Sequence, residues 1–67
     1  MNIEASKWIE NNYKWLVKEF NNKWVGASAE GYLSSGESFE FALRDIQKQN
    51  ISLSDVVFIY LTEEAIQ

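Results

Sequence analysis

The stretch WVGASAEGYLSS, residues 24–35, decides the fold. Its first half alternates as a strand does. Val25, Ala27 and Ala29 point one way, and Trp24, Gly26 and Ser28 the other. Glu30 and Gly31 then make a tight turn, with Gly31 supplying the positive φ that hairpin turns require. Residues 32–35 (YLSS) return as a short polar strand suited to a sheet edge. A hairpin therefore stands near the middle of the chain, and the flanking segments must pack onto it.

Upstream, residues 3–20 read as one helix. At about 100° per residue, Ala5, Ile9, Tyr13, Leu16 and Phe20 fall in one apolar stripe. Lys7, Lys14 and Lys18 fall on the opposite face. Trp8 and Trp15 lie one above the other at the border of the stripe. The run NNK (21–23) ends the helix, since Asn favours helix termini and turns.

Downstream, a second helix is predicted from Ser38 to Gln49. Ser38 is its cap, Phe39, Ala42, Leu43 and Ile46 its core face, and Asn50 its stop. Phe41 breaks the pattern, lying roughly 160° from Phe39 and hence toward water. Ser52 and Asp55 have capping-box spacing around a single turn. VVFIYL (56–61) is the clearest strand. Val57, Ile59 and Leu61 match the helices, which leaves Val56, Phe58 and Tyr60 on the other face. TEEAIQ (62–67) reads as a polar tail. The expected fold is α+β in the order α-β-β-α-β. It is a two-layer design, a three-stranded sheet with both helices on one face, in a single domain spanning residues 1–67. The second hairpin strand, the second helix and the last strand form a crossover unit.

The same segments resemble the domain of unknown function 5678 family of short prokaryotic proteins. Its pattern is a helix rich in Trp and acidic residues, a K-W-V-A strand, a short hairpin, a G-x-S-x-E-E-A-L helix start and a hydrophobic last strand. NKWVGAS, EGYLSSG, ESFEFAL and SDVVFIYLTEE stand in those places in that order. Gly26 replaces the usual Ala, and Phe41 the usual acidic residue. The resemblance implies a fold and carries no catalytic or ligand residue across.

Composition removes most chemistry. The chain has no Cys and no His, so disulfides, thiolates and the commonest general base and metal ligand are absent. A serine nucleophile in SSGES (34–38) lacks a histidine base. The same serines precede a helix start without a phosphate-loop pattern, and capping accounts for them. Glu63 and Glu64 sit on a polar tail, where solvation leaves nothing to tune an acid or base. No Ca²⁺-loop spacing occurs. The expectation is a protein without catalysis, cofactor, metal or small-molecule ligand.

Charge and size bear on partners. Lys7, Lys14, Lys18 and Lys23 face three acids in residues 1–29, whereas Arg44 and Lys48 face seven acids in residues 30–67, for a net charge of −4. An acidic C-terminal part disfavours nucleic acid, whose phosphates need clustered cations. No apolar run of about 18 residues occurs, so no membrane span is expected. No basic-then-apolar leader is visible, and the expected location is the cytoplasm. A chain of 67 residues buries only about 60% of its unfolded surface and usually needs a staple or a partner. Ten residues are aromatic, more than so small a core requires.

The leading expectation is therefore a protein-interaction module, self-associating or binding another protein. Its candidate residues are Trp8, Trp15, Trp24, Phe41, Phe58 and Tyr60, with Trp24, Phe58 and Tyr60 on an uncovered sheet face. An isologous homodimer through that face is the simplest form. The alternative is a small acidic, antitoxin-like inhibitor of a nucleic-acid-binding protein. A third reading uses Trp8, Trp15 and the helix lysines to stack nucleic-acid bases.

Overall fold

A computed structural model describes residues 3–63. The chain is an α+β protein built on a three-stranded antiparallel sheet. Its elements are α1 (Ile3–Asn11), α2 (Tyr13–Phe20), β1 (Lys23–Ser28), β2 (Gly31–Gly36), α3 (Phe39–Lys48), a 3₁₀ turn (Leu53–Asp55) and β3 (Val57–Leu61). Residues 64–67 of the predicted polar tail lie outside the described residues. No helix among the described residues is long and apolar enough to cross a membrane.

The hairpin forms as its residues dictate. Gly31 holds φ at +127°, and the Glu30 N–H donates to Ser28 Oγ at 3.1 Å across the turn. The strands run in the order β2-β1-β3, with β1 antiparallel to both neighbours. β2 and β3 are thus parallel, joined by a crossover through α3 with β1 between them. Leu33 is the extra residue of a bulge opposite Gly26 and Ala27, which bends β2 and interrupts its ladder.

The single predicted helix over residues 3–20 is two helices. Asn12 leaves helical geometry at φ −115°, ψ 13°. Its Nδ2 donates to the Trp8 carbonyl at 2.8 Å, the carbonyl that its own N–H also meets at 3.1 Å. An Asn side chain offers the backbone this local alternative to the helical ladder. Both helices still cover one sheet face, where Ile9, Leu16 and Val17 pack on Val25, Ala27 and Leu61. Tyr13, Phe20, Val57 and Ile59 close the margins of this core.

α3 corrects the expected layering, because it lies on the opposite face. Antiparallel pairing puts Ser34 beside Gly26 and Gly36 beside Trp24, on the face turned away from Val25 and Ala27. There Ser34 Oγ donates to the Ala42 carbonyl at 3.0 Å, and Gly36 lies under Phe41. Ala42 and Ile46 are fully buried by this contact. The architecture is thus three layers, helix–sheet–helix, rather than two. Sequence reasoning missed it because the floor under α3 consists of Gly and Ser, which give no hydrophobic signal.

Helix ends follow the predicted chemistry, with one exception. Ser38 caps α3 by accepting the Phe41 N–H at 3.3 Å, and Asn22 and Asn50 take left-handed φ of 64° and 58° just beyond helix ends. The Ser52 half of the predicted Ser52–Asp55 capping box does not form. Ser52 caps no N–H, and its Oγ meets Ser54 Oγ at 2.8 Å instead.

The close approach of α3 sets a stability test. A Cβ at Gly36 would stand 2.6 Å from Phe41 Cβ and 3.1 Å from the Ala42 nitrogen. Gly36→Ala is expected to lower stability by about 2 kcal/mol, an overpacking cost. Ser34→Ala is expected to cost about 1 kcal/mol through the lost buried bond. Urea denaturation midpoints at unchanged m-value measure both.

Candidate interaction surface

α3 covers β1 and β2 but leaves the β3 side of its face open. The open strip carries Trp24 from β1, Phe39 from the first turn of α3, and Phe58 and Tyr60 from β3. Their rings touch in a chain. Trp24 meets Phe39 edge-on at 5.5 Å and Tyr60 at 5.7 Å, and Phe39 meets Phe58 edge-on at 4.9 Å. Such edge contacts are the favoured aromatic geometry and hold the rings in place. Phe39 nevertheless remains 40% exposed and Tyr60 44% exposed. Trp24 and Phe58 are half-buried.

The predicted uncovered face is thus half right. Trp24, Phe58 and Tyr60 do share it, but α3 occupies its other half. Phe39, expected in the core, belongs to the patch. At the first position of α3 it reaches over the sheet where the small-residue floor ends. The packed residues of the helix are Ala42 and Ile46, with Leu43 half-buried.

β3 is also a sheet edge. Among the described residues its only strand partner is β1. A shallow apolar groove runs beside the free edge, lined by Ile9 and Tyr13 from the helices and by Val57, Phe58 and Ile59. Three consecutive residues of β3 contribute to its lining. Glu10 and Ser6 form its polar rim.

The other predicted residues are dispersed. Trp8 packs on the hairpin, its ring 3.5 Å from where a Gly31 side chain would begin, and it leans on the core. Trp15 is 49% exposed and meets Phe20 edge-on at 6.1 Å, while Phe20 stacks on Tyr32 at 5.1 Å. The break at Asn12 therefore separates the two indoles expected to lie one above the other. Lys14 and Lys18, expected on the far face, line a groove with Trp15 and Glu63. Phe41 is 61% exposed, as the helical wheel predicts, with the Arg44 guanidinium 5.9 Å from its ring centre.

Among the described residues no cluster of three acidic side chains is placed to hold a metal ion. No family model, curated protein or solved structure matches the chain.

The two phenylalanines of α3 separate packing from exposure. Phe39→Ala is expected to destabilise the fold by about 1–2 kcal/mol through lost ring contacts. Phe41→Glu keeps the Cβ that meets Gly36 and is expected to change stability by less than about 0.5 kcal/mol. Thermal or chemical unfolding of the two variants side by side checks the contrast.

Proposed function

We propose that the protein is a non-catalytic interaction module that binds protein through the patch of Trp24, Phe39, Phe58 and Tyr60. The observation that carries this reading is a set of four rings in mutual contact that stay partly exposed beside a free strand edge. Preorganised aromatics lose little side-chain entropy on binding and are favoured at interface hot spots. The missing staple agrees, since a partner would supply the burial that a chain this small lacks. In the same reading the chain is a divergent member of the domain of unknown function 5678 family, whose segments it resembles in order.

The acidic-inhibitor reading has less support. Glu37 and Asp45 share their hollow with Arg44 and Lys48, so cations interrupt the acids there, and a phosphate mimic needs an unbroken acidic stripe. The base-stacking reading retains Trp15 between Lys14 and Lys18, but Trp8 is turned to the hairpin.

Photo-crosslinking in the cells that make the protein tests the proposal. A benzophenone amino acid at position 60 is expected to give a discrete protein adduct. The same probe at exposed Gln47, on α3, is expected to give none. Equal and diffuse labelling from both positions would falsify the assignment.

A further inference from the structure

The two edges of the sheet are treated differently. The β2 edge is blunted. A bulge at Leu33 distorts it, and Gln49 Nε2 donates to the Leu33 carbonyl at 3.0 Å. Bulges and covered carbonyls of this kind prevent strand addition. Among the described residues the β3 edge carries no such device. Its residues Val57–Leu61 include no charge, no Pro and no Gly, and β1 alone pairs with it among the described strands. An apolar edge strand left open in this way is a template for another strand.

We infer that the edge of β3 pairs with β3 of a second copy, antiparallel about a twofold axis at Ile59, to give one continuous six-stranded sheet from two three-stranded ones. This rests on the interaction-module reading and names its partner. A twofold pairing must set each residue opposite one that faces the same way, so the axis passes through a residue of the strand. Centring on Ile59 pairs the whole of Val57–Leu61. Phe58 then opposes Tyr60 of the other copy, twice, and extends the aromatic patch across the junction. Val57 opposes Leu61 on the helix-covered face. Aromatic and aliphatic cross-strand pairs are the stabilising kind.

Charge agrees with a second copy as the occupant. Glu10 rims the groove beside Val57–Ile59. Lys14 stands beyond the Asn12 break, in the first turn of α2, where it shares a groove with Glu63 and Lys18 toward the far end of β3. A twofold axis exchanges the two ends, so Glu10 of each copy approaches Lys14 of the other. The arrangement is self-complementary, as an isologous interface requires. Asp55 and Glu63 fall outside the paired stretch, and Glu63 keeps Lys14 and Lys18 beside it.

Sedimentation equilibrium of the full chain tests the inference. A dimer is expected at about 0.1 mM. Glu10→Lys and Lys14→Glu are both on the exposed helix surface, and circular dichroism checks that each variant folds. Each is expected to weaken the dimer about tenfold, since each opposes like charges twice. The double variant E10K/K14E is expected to restore it. A mixed sample of labelled and unlabelled chains is expected to show intermolecular contacts between Phe58 and Tyr60. Single effects that add in the double variant, or a dimer without the Phe58–Tyr60 contact, overturn the edge pairing. A monomer that still gives the position-60 adduct overturns it too and leaves the interaction module standing. A monomer without that adduct overturns both.

Discussion

The close seating of α3 on β1 and β2 governs the rest of this molecule. Gly26, Ser34 and Gly36 present almost no side-chain volume on that face, and the Ser34 hydroxyl bonds the Ala42 carbonyl at 3.0 Å. The helix backbone can approach only where the floor is this low. It cannot move over β3, because Phe58 and Tyr60 stand there. One steric constraint therefore both buries Ala42 and Ile46 and leaves an aromatic strip open. The exposed patch is the geometric remainder of how α3 docks.

The opposite face is a more ordinary core. Leu16, Val25 and Leu61 are fully buried there, and each such aliphatic side chain contributes roughly 1.5–3 kcal/mol by leaving water. The break at Asn12 adapts the helical layer to a twisted sheet. It lets α1 reach the hairpin with Trp8 while α2 reaches β2 with Phe20. The cost is one interrupted turn, partly offset by the Asn12 side-chain bond to Trp8. The break also sends the two indoles in different directions. Trp8 becomes a structural cover, and Trp15 stays half in solvent.

The two sheet edges show the same logic at the level of the backbone. β2 is polar and bulged, and the end of α3 ties it down through Gln49. β3 is apolar along its whole length and carries aromatic side chains on one face and aliphatic ones on the other. That asymmetry leaves an apolar strand edge on one side of the sheet only. The helix-side groove and the aromatic strip both border β3.

Much of this was legible in the residues. Alternation in WVGASA, the positive φ needed at Gly31, the Ser38 cap and the unbroken VVFIYL run determined the elements and their order, because each depends on local backbone preference and side-chain period. Phe41 was legible as exposed for the same reason. The tertiary structure alone decided which face α3 would take, that Phe39 would join the open patch, and that Trp8 and Trp15 would part. Periodicity reports which residues avoid water but not what they meet. The residues that settled the meeting, Gly26, Ser34, Gly36 and Ala42, act by being small, and smallness leaves no trace in a hydrophobic pattern.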